Sequence, residues 1–266
     1  MRLCTYRDGG GTRLGAVEGD VIRPLHGRDV RDALETVPAA ASGPPVRLAE
    51  AELLAPLPPG TLLGIGLNYR DHAAETGADL PSQPLLFAKL VSSITGPSGE
   101  VVRPGYTDEL DYEGELAVVI GRTARDVPAG RALDHVFGYA VMNDLSARDR
   151  QRAEPQWIRA KGGDGFAPFG PWITTADEVP DPQGLSIRTW VNGDLRQDGT
   201  TRDMVFSVAD LIAFCSSSFT LRPGDVITTG TPAGVGVARD PQAFLQPGDR
   251  VRVEIPELGV LEHAIR

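Results

Sequence analysis

Residues 110–120, LDYEGELAVVI, begin among carboxylates and end as an unbroken apolar run. In an extended chain successive side chains alternate faces, so Asp111, Glu113 and Glu115 share a side with Ala117 and Val119. Leu110, Tyr112, Gly114, Leu116 and Val118 take the other side. With both faces apolar in its second half, the segment reads as a strand covered on both sides. Its acid-bearing face then enters a core, with Glu113 and Glu115 roughly 7 Å apart at Cα. Like charges buried this close repel, and each resists desolvation unless a cation or a proton compensates it. The competing reading is a pair of glutamates fraying into water at the mouth of a strand.

The chain has 266 residues, enough for one large domain or one domain with a small appendage. Its net charge of −10 and pI near 4.9 argue against a nucleic-acid or anionic-membrane partner. An anionic substrate would need a local device to overcome that field, and a bound metal is one. The start, MRLCTYRDGGG, lacks the apolar stretch of a signal peptide, and no run approaches a membrane span. Cys4 and Cys215 form neither a disulfide framework nor a metal quartet, which suits a reducing cytoplasm. Of 26 basic residues only Lys89 and Lys161 are lysines. A lysine kept in so arginine-rich a chain suggests a need for a compact ammonium, although two ordinary surface lysines would look the same.

Along the chain, glycine-marked turns divide the first 25 residues into a short antiparallel meander. DVRDALETV suggests one helix, and PAAASGPP (38–45) a linker. Strands are expected at 61–66, 116–121, 136–142, 187–192, 225–229 and 250–255. VNGD (191–194) is a hairpin signal. Helices are expected at 69–76, after Ser146, and over 207–217. The fold class is mainly β (α+β), with a small β-rich region at 1–55 and a larger domain at 56–266.

Within LNYRDHAAETG (67–77), closed by Gly77 as a helix C-cap, His72 and Glu75 are three apart and share a helix face. A carboxylate that orients an imidazole makes a general base, although H-x-x-E is commonly an exposed pair. Asp144 lies at a strand terminus, suited to a metal or to an Asx turn, and Ser146 with Asp149 reads as a helix cap. Arg148 and Gln151 follow on one helix face. AKGGDGFAPFGPW (160–172) places Lys161 on a loop, and Lys89 falls further from these acids. TTGTPAGVG (228–236) offers N–H groups and hydroxyls for a carboxylate without phosphate-loop spacing. GIGLNYR lacks the third glycine of a dinucleotide site, and no G-x-S-x-G elbow is present. His26, His135 and His263 read as structural.

GLNYRDHAAE, DYEGELAVVIG, NDLSARDRQ, RAKGGD, NGDLRQDG and LRPGDVITTGTPAGVG occur in that order between about residues 61 and 258. Together they resemble the fumarylacetoacetate hydrolase family of short bacterial hydrolases and isomerases. The resemblance implies a mixed β-sandwich roll, a homodimer and a divalent-metal site. Glu113, Glu115 and Asp144 would be the ligands, His72 with Glu75 would activate water, and Lys161 would stabilise an oxyanion. Arg148, Gln151 and Thr231 would contact the substrate. Three hard oxygen donors favour Mg²⁺ or Mn²⁺ over zinc. Departures from the family pattern are Leu90 in place of a common proline, the loose Gly163–Asp164–Gly165, and the serines at 216–218. The resemblance implies hydrolysis of a C–C bond in a 2,4-dioxo acid, an acylpyruvate such as fumarylpyruvate, through a metal-held pyruvate enolate. Isomerisation or decarboxylation of a 2-hydroxymuconate-type or oxaloacetate-like acid is the alternative, and a non-catalytic metal-stabilised dimer the outside one.

Overall fold

In the computed structural model, which describes residues 1–266, the apolar half of the 110–120 segment is the fully buried strand Gly114–Ile120. Its backbone polar groups are satisfied by antiparallel pairing with Val136–Asn143 on one edge and Val226–Thr228 on the other. Leu116, Val118 and Ile120 join the largest apolar cluster, while Ala117 and Val119 join the second. Both faces are covered, as the apolar run requires.

The fold around this strand is mainly β, with a twelve-stranded and a five-stranded sheet. The N-terminal meander Arg2–Asp8, Gly11–Glu18 and Val21–Pro24 belongs to the larger sheet. Arg2–Asp8 pairs with Ala167–Thr175, with Leu3 opposite Ile173. Leu62–Gly66 runs parallel to Val226–Thr228 and antiparallel to the edge strand Leu85–Lys89. The smaller sheet contains the hairpin Ser186–Val191 and Asp194–Thr200, with Arg250–Ile255 and Gly259–Ile265. Asn192 and Gly193 at its tip have φ of 53° and 86°, the left-handed pair that a two-residue primed turn needs. Helix Val208–Ser218 starts at a Ser207–Asp210 capping box and buries Val208, Leu211, Ile212 and Cys215.

Four sequence expectations change here. The 110–120 segment is not one strand: Leu110–Asp111 pairs with Ser146–Ala147, and the ladder restarts at Gly114, so Asp111 leaves the acid face. DVRDALETV forms only the single 3₁₀ turn Val30–Ala33, capped by Asp29, and Pro38 disfavours helical geometry at Val37 just before it. Ser146 is a strand residue whose hydroxyl donates to Asp144 O at 3.0 Å, and helix Arg148–Ala153 begins without a side-chain cap. Lys161 ends the short helix Ile158–Lys161 instead of lying on a loop. Its backbone N–H donates to Trp157 O at 2.9 Å, a helical bond the glycines after it do not prevent.

Gly114 separates the two glutamates because the second sheet crosses there. A Cβ at this position would lie 2.3 Å from Thr189 Oγ1 and 2.9 Å from Val253 Cγ1. Gly114→Ala therefore has to part the two sheets. Thermal unfolding should register a loss of roughly 1–3 kcal/mol, the usual cost of overpacking. An unchanged melting temperature would mean that the sheets are not in contact at Gly114.

Candidate active site

Strand Gly114–Ile120, with Glu113 just before it, carries two acids to the place where Val136–Asn143 ends, and Asp144 follows directly. Asp144 N–H donates to Glu113 O at 2.8 Å, and Glu113 N–H donates to Asn143 Oδ1 at 2.9 Å. These backbone links bring one oxygen each of Glu113, Glu115 and Asp144 within 4.8 Å of one another, all three side chains buried. The acids enter the core and do not fray into water.

Cations meet them. Lys161 Nζ donates to Glu113 Oε2 at 2.6 Å and to Asp144 Oδ2 at 3.0 Å. Lys89 Nζ, also fully buried, donates to Asp144 Oδ1 and to the backbone oxygen of Lys161. Lys89 is thus in contact with the acids, contrary to the sequence reading, because edge strand Leu85–Lys89 folds back beside Leu62–Gly66. Arg148 donates through Nε to Asp111 Oδ2 at 2.9 Å and through Nη1 to Gln151 Oε1 at 2.9 Å; its Nη2 lies 2.6 Å from Glu113 Oε1.

The electrostatics are unequal across the three acids. Burial resists ionisation of Glu113, but Lys161, Arg148 and His72 outweigh it and hold its pKa at about 2. Burial raises Glu115 well above the usual carboxylate range, and Asp144 and Glu113 push it further the same way. Burial pulls both lysines down; for Lys89 it prevails, whereas Asp144 and Glu113 carry Lys161 above its ordinary value. Four buried carboxylates, counting Asp111, face the three cations Lys89, Lys161 and Arg148. Glu115 has no cation in contact with it, and its ionisation is the one that this excess opposes most. A hard divalent cation among Glu113, Glu115 and Asp144 fits this donor set, since it would relieve that excess with oxygen ligands alone.

His72 and Glu75 meet, as their spacing on a helix predicts. His72 Nδ1 lies 2.8 Å from Glu75 Oε1 on helix Arg70–Thr76, which Gly77 closes with φ 67°. The TTGTPAGVG loop uses its N–H groups on the protein's own acids. Gly230 N–H donates to Glu115, Ala233 to Asp71, Gly234 to Glu75, and Gly236 with Val237 to Asp111. Thr228 Oγ1 also donates to Glu115. Thr231 donates to Gly114 O at 2.9 Å and accepts from Gln197 Nε2 at 2.7 Å. Gln197 and Asn143 accept from Gly114 N–H and Glu113 N–H, contacts that no sequence spacing reveals because the partners lie far apart along the chain.

His72, Glu113, Arg148, Gln151, Lys161 and Thr231 all line one cavity of about 240 Å³. Glu115 and Asp144 lie behind Glu113, and Glu75 behind His72.

The C-terminal fumarylacetoacetate hydrolase profile matches residues 61–266, and a profile described as Rv2993c-like, N-terminal matches residues 1–56. The chain belongs to the fumarylacetoacetate hydrolase family. A Burkholderia lata relative whose name says only that it is a candidate hydrolase is 52% identical over 202 residues, 75% of this chain and 72% of its own. The solved fumarylacetoacetate hydrolase from Exiguobacterium antarcticum superposes with a TM-score of 0.91 at 37% identity, covering 100% of this chain and 99% of that one. A 5-carboxymethyl-2-hydroxymuconate delta-isomerase from Mycobacterium smegmatis gives 0.86 at 37% identity over the same shares. The mainly β family fold is therefore that of this chain, and no helix in it is long and apolar enough to cross a membrane.

Behind the acids, Asn143 Nδ2 donates to His263 Nε2 at 2.8 Å, because Asn143 Oδ1 already accepts from Glu113. His263 is 1% exposed and must be neutral to accept that bond; burial lowers its pKa to about 4. The unfolded chain, with an ordinary value near 6.5, binds this proton first. Stability from this residue is complete above about pH 6.5 and is lost as pH falls towards 4, on the order of 3 kcal/mol. We expect His263→Gln, which can still accept from Asn143, to show a flatter loss of melting temperature than wild type between pH 6.5 and 4. Parallel curves would contradict a neutral, buried imidazole.

Proposed function

We propose that this protein hydrolyses a C–C bond in a small 2,4-dioxo acid of the acylpyruvate class, with Mg²⁺ or Mn²⁺ bound by Glu113, Glu115 and Asp144, as a homodimer. The observation that carries this reading is His72, backed by Glu75, on the wall of the same cavity as Glu113 and Lys161. A divalent ion there would supply Lewis acidity to the bound 2-oxo acid.

The remaining steps fall to side chains of this chain. With Nδ1–H held by Glu75, His72 keeps Nε2 free of protein partners and can take a proton from water at the C4 carbonyl. Attack of that water at C4, followed by C3–C4 cleavage, gives a carboxylic acid and the enolate of pyruvate. The Lys161 ammonium is positioned to balance the enolate charge as it develops, which stabilises the transition state more than the ground state. Arg148 and Gln151, locked to each other, would orient the substrate carboxylate. The solved isomerase relative favours a second reading, in which the same base moves a proton on a 2-hydroxymuconate-type acid and no water attacks.

His72→Asn is the direct test. We expect it to lower turnover of an acylpyruvate by roughly 10²–10⁴, the contribution of a general base, while Mn²⁺ affinity by calorimetry stays unchanged. Wild-type enzyme in oxygen-18 water should place one label in the carboxylic acid product. A product without label, or undiminished hydrolysis by His72→Asn, would overturn the hydrolytic role.

A further inference from the structure

Beyond Glu113, the cations and His72, the lining of the cavity changes character: its apolar part is Ile65, Leu67, Ala78, Trp157 and Val237, with Gly66 and Thr76 beside them. We propose that the distal arm of the substrate is an uncharged, apolar group seated against Trp157, and that Trp157 selects it. This rests on the 2-oxo-acid reading above and adds the class of arm.

Trp157 is fixed by its surroundings. It is the residue before helix Ile158–Lys161, four positions from Lys161, whose backbone N–H it accepts at 2.9 Å. Its ring meets Phe87 edge-on, with centroids 5.6 Å apart and planes at 61°. The same Phe87 ring lies 5.2 Å from Lys161 Nζ. Phe87 therefore lies beside both the ammonium and the indole. Gly66 provides the room for this: a Cβ there would lie 2.7 Å from Trp157 Cζ3. Leu67 follows with φ 52°, a left-handed conformation uncommon for a leucine, and it too lines the cavity.

The cations argue in the same direction. Every cation lining the cavity already has a carboxylate partner. Lys161 holds Glu113 and Asp144, Arg148 holds Asp111 and Glu113, and Arg152 at the rim donates to both oxygens of Glu109 at 2.8 and 2.6 Å. Arg148 and Lys161 serve the 2-oxo-acid end in the reading above, so a second carboxylate on the arm would have to draw Arg152 away from Glu109 in a chain of net charge −10. An apolar arm meets the indole and aliphatic wall with no such loss.

The test separates the arm from the reaction by using 2-oxo acids with no C4 carbonyl to cleave. Binding of 4-phenyl-2-oxobutanoate, 2-oxoadipate and pyruvate is measured by calorimetry with Mn²⁺ present, for wild type and Trp157→Ala. We expect the phenyl compound to bind wild type at least about tenfold more tightly than the diacid, and Trp157→Ala to remove that preference. That size of discrimination is ordinary for a hydrophobic pocket. Pyruvate, which has no arm, should bind both proteins alike. Tighter binding of 2-oxoadipate to wild type, a preference unchanged in Trp157→Ala, or equal loss of pyruvate binding would each overturn the proposal. The preference read here does not depend on turnover, so a failure to hydrolyse acylpyruvates would count against the reaction alone.

Discussion

Buried like charge is the constraint on which the rest of this molecule depends. Three carboxylates converge where two strands end, in a region from which water is largely excluded. Such a group is untenable without partners, since each ion resists desolvation and repels its neighbours. The fold supplies them in two ways. Lys89, Lys161 and Arg148 bring charge from three separate segments, and the 228–237 loop brings N–H dipoles and a threonine hydroxyl. Removing one partner of such a set leaves a buried charge uncompensated, so these residues stabilise as a group and not as separable pairs.

That arrangement also explains why the loop is rich in glycine. Gly230 and Gly234 take φ of 91° and 109°, and a Cβ at Gly234 would meet Arg196 O at 2.0 Å. Glycine at these points lets the chain turn so that N–H groups of residues 230, 234 and 236 reach Glu115, Glu75 and Asp111. The acid cluster, the His72–Glu75 pair and the Asp111–Arg148 pair are therefore held by one loop. Structure and chemistry meet there.

Much of this was legible in the sequence, for physical reasons that can be named. The run from Gly114 to Ile120 announced a strand covered on both faces, and Asn192–Gly193 announced a hairpin, because each pattern has few conformational solutions. The spacing of His72 and Glu75 sufficed to pair them, since a helix fixes the geometry of neighbours three apart. Asp111 was misplaced with Glu113 and Glu115 because alternation holds only while a strand continues, and this one breaks between Asp111 and Gly114. Lys89 was missed because its place beside Asp144 comes from strand order, which no local pattern encodes. Gln197, Asn143 and His263 act through backbone groups or through one another, leaving no spacing to read. The loop 228–236 was recognised as a carboxylate holder, but the carboxylates are the protein's own.

The central claim is that the buried acids exist to hold one divalent cation. A crystal grown with Mn²⁺, with anomalous differences recorded at the manganese edge, tests it most directly. We expect one strong peak per chain among Glu113, Glu115 and Asp144, with Lys89 and Lys161 remaining beside the ligands. A peak elsewhere with none between these carboxylates would show that the lysines alone balance the acids, and would contradict the metal site.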